Sequence, residues 1–149
     1  MPETMSDRKK LNEADPKAFQ TMMGFEEYLA GTSLTKTDAE LIKIRVSQIN
    51  GCSYCIDKHI KDALKYGEDP RRIFLLSAWR ETNLFTVKER AILALAEEVT
   101  LIHQHGVSDE VYNNALEVLG QTYLTQVMMG IIAMNAWNRV GITTGRIPE

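Results

Sequence analysis

Two cysteines and one histidine lie close together in the stretch INGCSYCIDKHIKDALK, which covers residues 49–65. If a helix begins at Cys52, then Cys52, Cys55 and His59 fall within roughly 60° of one another on one helical face. Cysteines three residues apart on a helix have Cα atoms about 5 to 5.5 Å apart, which a disulfide bond tolerates. The spacing therefore predicts a thiol pair that can be oxidised and reduced reversibly beside an imidazole.

The two thiols differ in their distance from His59. A thiol with the ordinary pKa of about 8.5 is only about 3% ionised at pH 7, so it needs activation by a helix N-terminus or a base. Helical side chains lean toward the helix N-terminus, so His59 leans over Cys55, one turn away, rather than over Cys52. We predict that Cys55 is the attacking thiolate and that Cys52 is the resolving cysteine, whose exposed sulfur meets the reductant.

Glu40 is the acidic residue that we expect to orient His59. On a predicted helix over residues 38–49, Glu40 shares a stripe with Ile44 and Ser47 that leads toward the cysteines. A buried carboxylate beside an imidazole stabilises the protonated ring and makes it a better base. The alternative is a capping role, because Thr37 and Glu40 have the spacing of a capping box.

Helices must position these residues, because helix signals recur along the chain and strand signals are almost absent. Five predicted helices begin at residues that favour helix N-termini: Asp15, Thr37, Asp69, Thr86 and Ser108. The prediction is an all-α, single-domain helical bundle of about six or seven helices over residues 15–149. Residues 1–14 are predicted to form a flexible N-terminal tail.

The last predicted helix, residues 121–141, is apolar on most of its circumference. A helix of this kind must be covered on nearly every side. Gln126, Asn135 and Asn138 interrupt the pattern too often for a membrane span. The pattern favours either a central core helix or a core helix that also contacts another subunit.

The charge balance argues against two classes of partner. The chain has seventeen Lys and Arg residues and twenty Asp and Glu residues, so its net charge is −3, and it has no basic block. We therefore expect neither nucleic acid nor a membrane as partner. The N-terminus, MPETMSDRKKLNEADP, has no apolar run typical of a signal peptide, so we expect a cytoplasmic protein. In that reducing compartment a CxxC indicates redox chemistry or metal binding rather than a structural bridge.

Metal binding is the main alternative to thiol chemistry. Cys52, Cys55 and His59, joined by His103 or His105, have the side chains of a tetrahedral zinc site. The chain would then be a zinc-binding module, or a redox sensor without enzymatic activity. A c-type haem site is excluded because Ile56, not histidine, follows the second cysteine, and a thioredoxin fold is excluded because βαβ segments are not indicated. We expect no cofactor and no resident metal.

The motif residues follow the order E-x6-S-x2-N-x-C-x-Y-C-x3-H, which is specific in its spacing. They are Glu40, Ser47, Asn50, Cys52, Tyr54, Cys55 and His59. This order resembles the signature of the alkylhydroperoxidase AhpD-like branch of the carboxymuconolactone decarboxylase family. The flanking segments SAWRET and FTVKERAILALAEEVT extend the resemblance over about residues 20–140.

The resemblance implies an all-α fold, a homotrimer or homohexamer, and the reduction of hydroperoxides by the CxxC pair. It places Glu40, Cys52, Cys55 and His59 in a proton relay and redox pair. The implied partners are a hydroperoxide and a dithiol reductant of lipoyl or thioredoxin-like type. Three further residues are candidates for a pocket or a subunit contact: Tyr54, Ser47 and Trp79. The alternatives are a solvent edge for Tyr54, near Lys58, and a core position for Trp79.

Overall fold

The computed structural model describes residues 7–149. Six long helices account for most of these residues: α2 Pro16–Ala30, α3 Lys36–Asn50, α4 Ser53–Lys65, α6 Val87–Thr100, α8 Asp109–Leu119 and α9 Gln121–Thr143. Four short helical segments connect or precede them: α1 Leu11–Ala14, α5 Pro70–Phe74, a 3₁₀ helix Leu76–Glu81 and α7 Ile102–His105. Residues 7–149 contain no strand, so the all-α, single-domain prediction is confirmed. The predicted six or seven helices correspond to the six long ones.

The helix caps explain where most of these helices begin. Asp15 accepts hydrogen bonds from the backbone of the first turn of α2, and Thr86 and Glu89 form a reciprocal capping box on α6. The predicted box between Thr37 and Glu40 is wrong. Thr35 is the N-cap of α3 and accepts the Asp38 N–H at 3.1 Å, so Thr37 lies inside the helix. The side chain of Glu40 is therefore free of a capping role.

The last helix passes through the middle of the bundle and packs against α2, α3, α6 and α8. It does not end at Gly141 as predicted. It continues to Thr143, and the chain turns at Gly145, where φ is 70° and glycine avoids the steric cost of the left-handed region. The other described residues leave one side of α9 uncovered, and Ile132 on that side is 38% exposed. Met128 and Met129, beside it, are only partly buried.

The predicted tail over residues 1–14 is described only in part, because residues 1–6 lie outside the described residues. The described part contains α1, and the Arg8 guanidinium donates a hydrogen bond to the Thr143 carbonyl at 3.0 Å. The flexibility of the tail stays a prediction. None of the described helices is both long enough and apolar enough to cross a membrane.

Trp79 lies in the second of two apolar clusters, away from the cysteines, and is 4% exposed. Its indole N–H donates to Glu97 at 3.2 Å, and Glu97 also accepts hydrogen bonds from Arg45 and Arg80. Burial by itself raises the pKa of the Glu97 carboxyl. The hydrogen bonds from Arg80, Arg45 and Trp79 outweigh burial and hold that pKa below its ordinary value.

Because of the Glu97 carboxylate, we expect the free energy of unfolding to fall in acid. A carboxyl group whose pKa is lowered by folding stabilises the fold above its unfolded pKa of about 4.3, and this contribution disappears as the pH falls through the folded pKa. We expect Glu97→Gln to lower the free energy of unfolding at pH 7 by about 1 to 3 kcal/mol. The difference from the wild type should shrink below about pH 4. Urea unfolding at several pH values measures this, with the exposed Glu117→Gln as control. A difference that is constant with pH would contradict the prediction.

Candidate active site

The cysteines lie where α3 ends and α4 begins. Gly51 has φ of 73°, a left-handed conformation that favours glycine, and its N–H donates to the Ser47 carbonyl at 2.9 Å. The Cys52 N–H donates to the same carbonyl at 3.1 Å. Cys52 is the N-cap of α4, and its sulfur accepts the Cys55 N–H at 3.4 Å. The turn thus places the Cys52 sulfur at a helix N-terminus, which stabilises a thiolate.

A buried hydrogen-bond network attaches this turn to α9. The Asn50 side-chain amide donates to Asn135 at 2.9 Å and to Asn138 at 3.0 Å. The Asn138 amide donates to the Ser47 hydroxyl at 3.0 Å, and both of these residues are fully buried. Ser47 was a candidate for a pocket or subunit contact, but it lies in this network and does not line the cavity described below. Sequence reasoning missed Asn138, although a polar residue in an apolar helix was a signal for it.

Cys52 and Cys55 form a disulfide with a Cα separation of 5.3 Å, within the range expected from their spacing. Cys52 is 1% exposed and Cys55 is 5% exposed. Cys55 lines the cavity described below, and Cys52 does not. The prediction of an exposed Cys52 sulfur is therefore wrong. The physical reason is that α9 packs over the start of α4 and covers Cys52 together with Ile42 and Val46.

His59 lies on the same buried face of α4 as Cys55, one turn further along. Its Nδ1 atom is 3.5 Å from Glu40 Oε2, and both atoms are buried and make no hydrogen bond among the described residues. A proton on Nδ1 would face this carboxylate. Because Nδ1 faces Glu40, Nε2 is the ring nitrogen left for proton exchange with the cavity. The structure therefore brings Glu40 and His59 together, as the helix pattern indicated.

A cavity of about 730 Å³ opens beside Cys55 and His59. Its apolar wall comes from α2, α3, α9 and the segment before α3, with Phe19, Met23, Leu34, Ile42, Met134 and Trp137. Charged side chains of both signs also line it: Lys10, Lys43, Lys58, Arg146, Glu26 and Asp62. The cavity thus combines an apolar interior with charges of both signs beside the Cys55 sulfur.

Tyr54 and Trp79, the two aromatic candidates, differ in position. Tyr54 lines the cavity, and the Arg146 guanidinium lies 4.1 Å from the centroid of its ring. Trp79 does not line the cavity, and its position in the second apolar cluster agrees with the alternative interpretation of a core residue. Of these two candidates, Tyr54 is therefore the one that lines the cavity.

The zinc alternative depends on side chains that the described chain does not bring together. His103 and His105 are exposed on α7 and do not line the cavity. Within residues 7–149, ligand atoms of Glu40, His59 and Asp62 lie within 4.8 Å of one another, and neither sulfur belongs to this group. The Lys43 ammonium lies 3.4 Å from Glu40, and the Lys58 ammonium lies 3.3 Å from Asp62. Their positive charges oppose a cation at this place.

The model of the Carboxymuconolactone decarboxylase family matches residues 16–98, and the chain belongs to the AhpD-like branch of this family. The match covers the whole of α2, α3 and α4, and with them every motif residue from Glu40 to His59.

Two relatives match this chain over 95% of its length. The uncharacterized protein YdfG of Bacillus subtilis is 41% identical over 141 residues, which cover 95% of this chain and 96% of YdfG. A crystal structure from Agrobacterium tumefaciens shares 32% identity with a TM-score of 0.92, covering 95% of this chain and 97% of that one. That protein is of unknown function and is described as a candidate antioxidant defence protein AhpD.

The third relative shows the fold alone. An uncharacterized peroxidase-related protein from Silicibacter sp. TM1040 is 20% identical with a TM-score of 0.78, covering 91% of this chain and 72% of that one. The helical bundle therefore recurs in a protein that shares only 20% sequence identity with this chain.

Proposed function

We propose that this protein is a cysteine-based peroxidase that reduces organic hydroperoxides with the Cys52–Cys55 pair. One observation carries the proposal: of the two bonded cysteines, Cys55 lines an apolar cavity that also contains His59. Membership in the AhpD-like branch and the likeness to a candidate antioxidant defence protein support it. A cycle that starts from two thiols requires a reducing compartment, so we propose the cytoplasm as its location.

The reaction starts from the dithiol form. His59 takes the proton of Cys55, and the thiolate attacks the distal oxygen of the hydroperoxide. The oxygen–oxygen bond breaks, Cys55 becomes a sulfenic acid, and the departing alkoxide takes the proton from His59 and leaves as an alcohol. The Cys52 thiol then attacks the Cys55 sulfur and releases water, which gives the disulfide. The two thiols lose two electrons and the hydroperoxide gains two.

Glu40 assists His59 in the proposed cycle. The carboxylate faces Nδ1 at 3.5 Å, so it fixes the orientation of the ring and leaves Nε2 to exchange the proton. Its negative charge stabilises the imidazolium that forms when Cys55 ionises. The position of Thr35 as the cap of α3 supports this role, because Glu40 is not needed to cap the helix.

The cavity favours a hydroperoxide with an organic group. Hydrogen peroxide needs only a few tens of Å³, whereas the cavity of about 730 Å³ has room for a ligand of drug size. Apolar side chains such as Phe19, Met134 and Trp137 would bury an alkyl or aryl group.

The disulfide is regenerated by an external dithiol of lipoyl or thioredoxin-like type, which itself becomes a disulfide. Cys52 is almost fully buried, so the reductant reaches the pair at Cys55 from the cavity. Cys52 then leaves as a thiolate, which the Cys55 N–H at 3.4 Å and the N-terminus of α4 stabilise.

A turnover assay tests this function. Metal-free protein should consume many equivalents of cumene hydroperoxide when a dithiol such as dihydrolipoamide is present, and the rate should depend on that dithiol. Consumption of a single equivalent without turnover would instead support a redox sensor. Stoichiometric zinc in the purified protein together with no peroxide consumption would support a metal-binding module.

A homotrimer or homohexamer is the proposed assembly. The uncovered side of α9, centred on Ile132, supports it, because an exposed apolar helix face gains free energy when a second subunit covers it. We expect light scattering at micromolar concentration to give about three or six times the 16.9 kDa of one chain. Ile132→Glu should lower this mass, whereas Ile102→Glu, on exposed α7, should not. A wild-type monomer would contradict the proposal.

A further inference from the structure

The two ends of the described chain meet beside the cavity. The Arg8 guanidinium donates a hydrogen bond to the Thr143 carbonyl at 3.0 Å, so the segment before α1 lies against the last turn of α9. Lys10 and Arg146 follow these two residues closely in the chain, and both line the cavity. Two basic side chains from opposite ends of the chain therefore lie at one end of the cavity.

The other charges that line the cavity are already paired. The two lysines of α3 and α4 each pair with a carboxylate of their own helix, at 3.4 Å and 3.3 Å. Lys10 and Arg146 form no salt bridge within residues 7–149. Glu26 accepts the Trp137 indole N–H at 2.9 Å, and Trp137 lies about 9 Å along the axis of α9 before its last residue. The positive charge at the end of α9 is therefore not neutralised by a neighbouring carboxylate.

Arg146 is held in a defined position. The chain turns at Gly145, and the Arg146 N–H donates to the Gly141 carbonyl at 2.9 Å. The guanidinium lies over the Tyr54 ring, 4.1 Å from its centroid. A guanidinium on an aromatic face keeps its N–H donors at its edge, and this planar fork matches a carboxylate. The turn also covers three of the last carbonyls of α9, whose partial negative charge would oppose an anion.

The position of Arg146 also allows one ligand to reach both the guanidinium and the reacting sulfur. A Cβ atom at Gly141, the residue bonded to the Arg146 N–H, would lie 3.5 Å from Cys55 Sγ. With ordinary bond lengths, the backbone nitrogen of Arg146 is therefore within about 10 Å of that sulfur. Tyr54, beneath the guanidinium, directly precedes Cys55, and both line the cavity.

We propose that the hydroperoxide reduced by this protein carries a carboxylate, which Arg146 binds while the hydroperoxide group lies at Cys55. This inference rests on the proposed peroxidase function and names its substrate class. A fatty acid hydroperoxide has the required parts: an acidic group for Arg146 and Lys10, and a hydrocarbon chain for apolar walls such as Met134 and Trp137. The carboxylate takes no part in the redox step, which yields the hydroxy acid, water and the disulfide.

The test compares the hydroperoxide of linoleic acid with its methyl ester, which lacks the negative charge. Stopped-flow kinetics below the micelle concentration give the second-order rate constant for oxidation of the reduced protein. We expect the acid to react at least about tenfold faster than the ester, because a charge-assisted hydrogen bond holds it. Added NaCl should slow the reaction of the acid more than that of the ester. Arg146→Gln should lower the acid-to-ester ratio at least about tenfold.

Two further variants separate the guanidinium from general effects of charge. Arg71 is an exposed arginine of α5 that does not line this cavity, so Arg71→Gln removes the same charge and should keep the wild-type ratio. Arg146→Lys keeps the charge and loses the planar fork, so its ratio should lie between those of the wild type and Arg146→Gln.

Two results would overturn the inference and leave the peroxidase intact. One is a wild-type protein that reacts equally fast with the acid and the ester. The other is an equal loss for the acid and the ester in Arg146→Gln, which would show that Arg146 only shapes the cavity through its contact with Tyr54. If the reduced wild type reacts with neither compound and not with cumene hydroperoxide, the proposed function fails and the inference fails with it.

A second variant keeps the test decisive if Arg146→Gln disturbs the last turn of α9. Lys10 is exposed, and Lys10→Gln leaves the contact between Arg146 and Tyr54 in place. Its acid-to-ester ratio should fall at least about twofold, because one of the two charges at this end of the cavity is lost. A ratio equal to that of the wild type in both Lys10→Gln and Arg146→Gln would overturn the inference.

Discussion

Cys55→Ser is expected to abolish the fast reaction of the reduced protein with hydroperoxide, whereas Cys52→Ser should keep the first oxidation step and stop at a sulfenic acid. Cys55 lines the cavity and shares a helix face with His59, while Cys52 is 1% exposed beneath α9. In Cys52→Ser no second thiol can condense with the sulfenic acid. One equivalent of hydroperoxide followed by dimedone should therefore label Cys55 in this variant.

The expected difference between the two variants is large. Cys52 has no base one helical turn away, as Cys55 has in His59, so its thiol should react more slowly. We therefore expect the remaining thiol of Cys55→Ser to oxidise at least about a hundredfold more slowly than the remaining thiol of Cys52→Ser. Mass spectrometry of the dimedone adducts after a series of reaction times measures both rates. Rapid labelling of Cys52 and slow labelling of Cys55 would reverse the two roles.

His59→Gln should lower the rate of oxidation by about 10²- to 10⁴-fold, the usual contribution of a positioned general acid and base. Glu40→Gln should have a smaller effect, about tenfold, because it leaves the ring in place and removes only the charge that stabilises the imidazolium. The Glu40 variant should also ionise its thiol at higher pH, because the positive charge that His59 gains with the thiol proton loses its neighbouring carboxylate.

Alkylation by iodoacetamide as a function of pH measures this shift. Asp57→Asn is the matched control, because Asp57 is a carboxylate of α4 that pairs with Lys61. It removes the same charge, and we expect its alkylation profile to match that of the wild type. An alkylation profile of Glu40→Gln that also matches the wild type would exclude Glu40 from the relay.

Local sequence patterns were sufficient for most of the helix limits. Thr86 with Glu89, Asp69 before Pro70, and Ser108 each form a cap within four residues, so the neighbouring sequence determines them. The start of α3 shows the limit of this reasoning. Thr35 and Thr37 both precede an acidic residue at the spacing of a cap, and the pattern alone does not determine which one begins the helix.

In the candidate site, too, contacts within one helix could be predicted from the sequence, and contacts between distant helices could not. Cys55 and His59 belong to one helix, so their shared face followed from the helical period. The burial of Cys52 and the close approach of Gly141 to the two sulfurs depend on α9, which begins 69 residues after Cys52. An almost uniformly apolar helix gives no pattern that indicates which of its sides meets the cysteines. Its small and polar residues, Gly141 and Asn138, were the remaining signal for that contact.

The most direct test of the peroxidase is a stopped-flow titration of the reduced, metal-free protein with cumene hydroperoxide, with thiols counted before and after. We predict oxidation at least about a hundredfold faster than that of free cysteine at pH 7, because a positioned base activates Cys55. We also expect two thiols to disappear for each hydroperoxide consumed, with one Cys52–Cys55 disulfide and one alcohol formed. Oxidation no faster than that of free cysteine, or consumption of hydroperoxide without loss of these two thiols, would contradict the proposed function.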